Sequence, residues 1–405
     1  MSSMQESSQS FLSQYKIIIS IVVILFFATV FGHLVPSSYK VFFYTISNLI
    51  RKGLLFLLPF LVFPFMVSSI SALRSRGVWM VGGIMLMIVV SNFTAIMGAF
   101  FAGNFLIPQL GGGRIATLAV VDELMPLFDV PLSPLVGMEV TLLVAFISGL
   151  GVGFINNRSL DSFFEKYTAA STFFFENIFI PILPLYVLGT ILKITYETDL
   201  GAILPTFGSM ALGIVFIQSI YISFLFFMGA GFSITGGLKA LKNALPAGLV
   251  GLTTMSSFVT MPVTLKVAEK NTGNPHVARV AISTTVNCHC LGEAISLPLI
   301  AMTIYFITFS QMPSLSAYFP FALLLTIAQF SAVAVPGGSI VVMLPFLERY
   351  LSFSSEMVSL IIALSIFMDP VGTGQNVMAN SAFAMIINKL NAGISNLKGK
   401  FSKVK

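Results

Sequence analysis

Asp369 opens the run D-P-V-G-T-G-Q-N-V-M-A-N inside an apolar segment, and one apolar helix earlier the chain reads S-A-V-A-V-P-G-G-S-I-V-V-M-L-P. Both stretches are rich in Gly and Pro and are expected to break a helix. Freed backbone at membrane depth is tolerable only where it is buried in protein or lines a cavity, because lipid offers no hydrogen bonds. A carboxylate placed there marks a functional position, since a buried charge needs a cationic or hydrogen-bonding partner. A ligand ammonium is one such partner. Thr373 and Asn376 follow about one turn apart and share a helix face with it. Such a constellation is suited to binding a small polar solute inside a membrane.

A second polar run, T-T-V-N-C-H-C-L-G, carries Asn287, Cys288, His289 and Cys290. An imidazole suits protons or transition metals better than hard sodium ions, which take oxygen ligands. His289, with Glu293 about one turn on, therefore raises proton coupling. A metal centre on Cys288-His289-Cys290 is a weak reading. Consecutive helical residues point in different directions, and no fourth ligand stands at the usual spacing. The chain has no HExxH pair, nucleophile elbow or phosphate-binding loop, so it is not read as an enzyme.

The elements that must position these groups are membrane helices. The 405 residues are 56% hydrophobic and 9% charged, where a soluble domain carries about 25% charged residues. Segments long enough to span the bilayer are expected at 16–36, 39–72, 78–107, 134–156, 163–196, 205–233, 277–309 and 355–390. Two further apolar stretches, 236–270 and 316–350, are interrupted by T-T-M-S-S and A-V-P-G-G-S and read as re-entrant hairpins. The fold class is thus an all-α polytopic membrane protein of eight transmembrane helices plus two re-entrant helical hairpins.

Charge gives orientation. Arg74, Arg76, Arg158, Lys166, Lys239, Lys242, Lys266, Lys270 and the tail from Lys389 to Lys405 fall on one side, so both termini are expected in the cytoplasm. Lys193 and Arg349 fall on the other side, and Arg51 and Lys52 lie within a span. Glu139, Glu176 and His33 read as interfacial or paired groups. The net charge of +6 forms no stripe with interleaved aromatics, so nucleic acid is not a partner. Residues 1–14 lack a basic leader and cleavage site, so the first span is expected to remain in the mature protein.

The last 170 or so residues contain an internal repeat: a polar or Gly-rich tip, a proline, a charged turn, then a helix interrupted around an asparagine. One copy runs from Ser256 and Ser257 through Pro262 and Glu269 to Asn287. The other runs from Gly337 and Gly338 through Pro345 and Glu348 to Asn376. Repeats of inverted topology place solute and coupling ions near the midplane.

These blocks resemble the dicarboxylate/amino acid:cation symporter family, of which the chain looks like a divergent member. The blocks are A-L-P-A-G-L-V-G-L-T-T-M-S-S-F-V-T-M-P-V-T-L-K-V-A-E-K, T-T-V-N-C-H-C-L-G, A-V-P-G-G-S-I-V-V-M-L-P and D-P-V-G-T-G-Q-N-V-M-A-N. The resemblance is strongest from Lys239 to Leu390. It implies an elevator-type transporter fold and a homotrimer in the inner or plasma membrane. Spans 1, 2, 4 and 5 would form the scaffold, and the hairpins with spans 3, 6, 7 and 8 the moving domain. The corresponding divisions are a tail at 1–15, a transmembrane region at 16–235, a transport core at 236–390 and a basic tail at 391–405.

The resemblance further implies solute-binding positions at Met255, Ser256, Ser257, Cys288, Leu291, Val335, Gly338, Asp369, Gly372, Thr373 and Asn376. Cation-binding or coupling positions fall at Ser283, Thr285, Asn287, His289, Asn376 and Asn380. Asp369 matches the aspartate that meets a substrate's amino group. Gly372 stands where acidic-substrate members place a carboxylate-gripping arginine, and Met255 where some carry a second one. A neutral amino acid is therefore the expected solute. His289 and Asn380 replace two sodium-binding aspartates. No organic cofactor is expected, and sodium ions or protons are the coupling ions. Exchange or passive transport without sodium coupling is the alternative.

Overall fold

The computed structural model describes residues 19–20, 23–24, 26–28, 30–71, 78–111, 124–155, 157–197, 200–286, 288–331 and 338–402. Every regular element among them is helical. The helices are α1 (Ser37–Ser71), α2 (Val78–Gly111), α3 (Met138–Ile155), α4 (Arg158–Phe174) and α5 (Ile180–Glu197), followed by α6 (Leu200–Gly229), α7 (Ile234–Thr254), α8 (Ser257–Thr272) and α9 (Pro275–Thr285). The chain closes with α10 (Leu291–Phe309), α11 (Leu315–Ala328), α12 (Gly338–Leu351) and α13 (Ser355–Ser402). A π-helical turn at Phe175–Phe179 joins α4 to α5.

Six of the described helices are long and apolar enough to cross a membrane, or seven if the bent pair α4 and α5 is one span. Eight were expected. The first expected span, 16–36, lies partly outside the described residues. The seventh is divided by a break between α9 and α10, as the polar run there implies.

Helix ends follow local chemistry. Asn157, Ser233, Ser256, Asn274 and Ser314 each accept a hydrogen bond from a first-turn amide of α4, α7, α8, α9 and α11, satisfying donors with no partner inside the helix. The T-T-M-S-S interruption is a tight turn. Met255 sits in the left-handed region at φ 50°, and Ser256 caps the next helix. Thr254 pairs with Thr260 at 3.0 Å and Asn243 with Asn271 at 2.8 Å. Both pairs are centred on Ser257, so α7 and α8 run antiparallel. α11 and α12 pack along each other on either side of 332–337.

The helices pack in two assemblies. α1 lies against α3, α4 and α5, while α13 lies against α6, α7, α8 and α10, and α2 covers α10 and α11. Contact between the assemblies is sparser and includes three ion pairs: Arg51–Glu348 at 2.9 Å, Lys193–Glu356 at 2.5 Å and Arg349–Glu139 at 2.9 Å. The cations that depart from the charge rule are thus paired, as is Lys52 with Asp129 at 2.5 Å. Asp129, in the loop before α3, also accepts from Asn48. Chiefly the Lys52 hydrogen bond holds its carboxyl below the ordinary carboxylate range. Glu139 is ion-paired as read from the sequence, and His33 and Glu176 are exposed.

One expectation is corrected. The run from Asp369 to Asn380 does not break its helix: α13 passes through it without interruption. Pro370 removes a single amide donor, a loss that neighbouring helices make tolerable. The glycines serve close approach instead of a break. A Cβ on Gly374 would lie 2.9 Å from the Gly248 carbonyl of α7, so the two backbones touch.

Candidate functional site

Between α9 and α10 the described backbone is non-helical at residues 288–290, in the interior of the bundle. Three helices send side chains to this break and to the first turn of α10. From α2, Asn92 donates Nδ2 to the Cys288 carbonyl at 2.7 Å. From α6, Gln218 donates Nε2 to the Gly292 carbonyl at 2.8 Å. From α13, Asn376 accepts on Oδ1 from the Gly292 amide at 2.7 Å. That amide belongs to the first turn of α10 and has no partner within its own helix. The Thr285 carbonyl takes the amides of Cys288 and His289 at 3.2 and 2.9 Å.

His289 is 1% exposed and reaches two helices at once. Nδ1 lies 2.8 Å from Asn380 Oδ1, and Nε2 lies 3.0 Å from Ser91 Oγ on α2. Its ring rests on Phe383 with centroids 4.3 Å apart. With an amide oxygen facing Nδ1, a neutral ring carries its proton there, and Nε2 accepts from the Ser91 hydroxyl.

Along α13, Asp369, Thr373, Asn376 and Asn380 recur at intervals of three and four, which places them on one face. The bonds of Asn376 and Asn380 turn that face toward the break. Thr373, Asn376 and Asn380 are buried and Asp369 is half-buried. Gly372 meets Gly292 where α10 crosses: a Cβ on Gly292 would fall 2.1 Å from the Gly372 carbonyl oxygen. Beside this crossing stands Glu293, 7% exposed, whose Oε2 makes a short hydrogen bond to Asn376 Nδ2. Asn376 therefore spends its oxygen on the backbone of α10 and its amide on Glu293.

A model of the sodium:dicarboxylate symporter family matches residues 16–390. The chain belongs to this family. Its members are cation-coupled symporters of dicarboxylates or amino acids, so the protein is an integral membrane transporter. No curated protein matches the chain at a significant level.

For a symporter of this family, the arrangement gathers part of what the sequence singled out. Asp369, Gly372, Thr373, Asn376, Asn380, Cys288, His289 and Leu291 lie on α13 or at the break it packs against. Cys288 donates Sγ to the Thr284 carbonyl at 3.1 Å, and Leu291 is fully buried. Met255, Ser256 and Ser257 form the α7–α8 turn, where Ser256 acts as a helix cap. The hydroxyls of Ser283 and Thr285 turn back onto their own helix, to Arg279 and Ala281 carbonyls at 2.6 and 2.9 Å. Gly338 begins α12. Asn287 and Val335 lie outside the described residues.

Ser91, Asn92 and Gln218 take part without having been singled out, and Glu293 was read only as a neighbour of His289. Their signal was present: each is a polar residue set deep in an apolar run, M-I-V-V-S-N-F-T-A-I-M for the first two and I-V-F-I-Q-S-I-Y-I for Gln218.

Proposed function

We propose that the protein is a secondary active transporter that moves an amino acid, or a similarly small carboxylate solute, together with a cation by an elevator movement. The observation that carries this reading is the polar clamp around Cys288 and Gly292. Side chains from α2, α6 and α13 converge there on the helix break and the first turn of α10 inside an apolar bundle, the setting in which transporters bind solute. Asp369 receives the solute's ammonium, with Thr373 and the α7–α8 turn completing the pocket and Asn376 holding Gly292 and Glu293 beside it. Gly372 offers no guanidinium fork for a side-chain carboxylate. A neutral amino acid is accordingly favoured over aspartate or glutamate.

For the cation, the donor set is made of neutral oxygens. Asn92 Oδ1 and Gln218 Oε1 are buried without a hydrogen-bond partner among the described residues. Such oxygens suit a hard ion like sodium. In the elevator, the assembly around α13 slides past the one around α1, and a homotrimer of the latter anchors it. The outward apolar row Leu143, Ile147, Leu150 and Phe154 of α3 is compatible with lipid or a second copy.

A second reading has its own observation. His289 and Asn380 satisfy each other, so this part of the site offers an ion less than a pair of carboxylates would. That favours proton coupling through His289, or exchange with sodium coupling lost. Uptake of labelled amino acids into proteoliposomes decides between them. Accumulation under an inward sodium gradient supports the first reading, and accumulation only under an inward proton gradient supports the second. Exchange without accumulation means coupling is lost, and Asp369→Asn should abolish transport in every case. No uptake or exchange of any amino acid or dicarboxylate would overturn the proposal.

A further inference from the structure

Glu293 is a buried carboxyl whose partners among the described residues are neutral. One oxygen, Oε2, is held by Asn376, and the group sits in the first turn of α10, where backbone amides favour negative charge. No described lysine, arginine or histidine forms an ion pair with it. The other oxygen, Oε1, faces Gly372, where a side chain is missing. A Cβ built there would lie 3.5 Å from Oε1 and 3.6 Å from Cδ. Neutral hydrogen bonds orient a buried carboxyl without neutralising it, and a cation placed beside it favours its charged form.

The position of this oxygen relative to Asp369 matters. Gly372 follows Asp369 by three residues on α13, so the two places are roughly 6 Å apart on one helix face. A solute whose ammonium lies at Asp369 can extend its side chain alongside Gly372 and end at Glu293.

We propose that Glu293 is a specificity-determining residue of the solute site, and that the transported amino acid carries a cationic side chain whose ammonium or guanidinium meets Glu293 Oε1 beside Gly372. This rests on the solute site being where the proposed function puts it, and it replaces the neutral side chain favoured there with a cationic one. Gly372 withholds a guanidinium from a side-chain carboxylate. Glu293 adds a reason for the opposite charge.

Isosteric pairs test it on the purified, reconstituted protein. Arginine is compared with citrulline, and lysine with norleucine, by competition against uptake of whichever labelled amino acid is transported. The expected result is a preference of roughly ten- to hundred-fold for the charged member of a pair, the size of a charge-assisted hydrogen bond. Glu293→Gln keeps an acceptor for Asn376 and should level arginine with citrulline, and lysine with norleucine, in the competition. Equal competition by both members of each pair in the unmodified protein overturns the inference, whatever the variant does. So does a preference that survives in Glu293→Gln. Uptake confined to neutral amino acids sinks this inference and leaves the transporter reading standing, whereas absence of uptake of any amino acid or dicarboxylate sinks both.

Discussion

His289 and Asn380 lie 91 residues apart in the chain and share a hydrogen bond of 2.8 Å between Nδ1 and Oδ1. The bond joins the break before α10 to α13, and Nε2 carries the connection on to Ser91 of α2. One imidazole therefore ties together three of the elements that meet at the site: the break, α13 and α2.

Removing that tie should cost stability in a coupled way. His289→Ala loses both bonds and the contact with Phe383, about 2–4 kcal/mol. Asn380→Ala strands Nδ1, about 1–3 kcal/mol. Because the two share one bond, the double variant should cost less than the sum. Denaturant unfolding in mixed micelles measures the cycle, and strictly additive losses would mean the two side chains do not interact.

Gly292 and Gly372 face each other and should respond oppositely to a methyl group. Gly292→Ala drives a Cβ to 2.1 Å from a backbone oxygen, so α10 and α13 must separate, at a cost of about 1–3 kcal/mol or more. At Gly372 the nearest atom to a new Cβ is 3.5 Å away. There the alanine is accommodated, and its helix propensity offsets any loss by up to about 1 kcal/mol. Thermal unfolding of the two variants should separate them clearly, with Gly292→Ala the lower.

Much of the helical framework was legible because apolar length and punctuation are local signals. The capped turn at Met255–Ser256 and the break at 288–290 both stand where polar residues interrupt apolar runs. The reading failed at Asp369–Asn380 because glycine has two uses with one local signature. Gly372 and Gly374 look like helix breakers in sequence, yet both lie at helix crossings: Gly374 gives the close approach to Gly248 on α7, and the Gly372 carbonyl faces Gly292 on α10. Nothing adjacent in the chain announces such a contact. Glu293 was similarly obscured: as a first-turn acid it fits its own helix, and only the fold sets it against Gly372.

Two of the ion pairs between the assemblies should differ in strength according to burial. The Lys193 side chain is 3% exposed, so Glu356→Gln withdraws the carboxylate from a buried ammonium. Loss of one partner from such a pair costs about 3–5 kcal/mol. Arg349 is 64% exposed, and Glu139→Gln should cost about 0–1 kcal/mol. Unfolding midpoints of the two variants test the ranking, which fails if Glu139→Gln is the more damaging.

Asp129 gives a pH dependence with a definite sign. Its carboxyl is held below the ordinary range, chiefly by Lys52, so its folded pKa is lower than its unfolded one. The stabilisation is fully present above the unfolded pKa and is lost as pH falls through the folded one. Asp129→Asn should accordingly lower the unfolding temperature at neutral pH. The difference from the unmodified protein should shrink as the medium becomes strongly acidic. A difference that grows on acidification would mean that Asp129 is not stabilised as a carboxylate.

Gly372→Arg brings the solute selectivity and Glu293 into a single experiment. An arginine at this position starts 3.5 Å from Glu293 Oε1, close enough for its guanidinium to pair with that carboxylate. The fork is then occupied within the protein, and aspartate uptake should not improve. In Gly372→Arg with Glu293→Gln the internal partner is neutral, which leaves the guanidinium for a solute carboxylate. Aspartate uptake should then rise by roughly ten- to hundred-fold over the single variant, as expected for one charge-assisted bidentate contact. Labelled aspartate uptake by the single and double variants reads the difference. If Gly372→Arg alone confers aspartate uptake, the guanidinium does not meet Glu293. If neither variant does, position 372 does not face the solute.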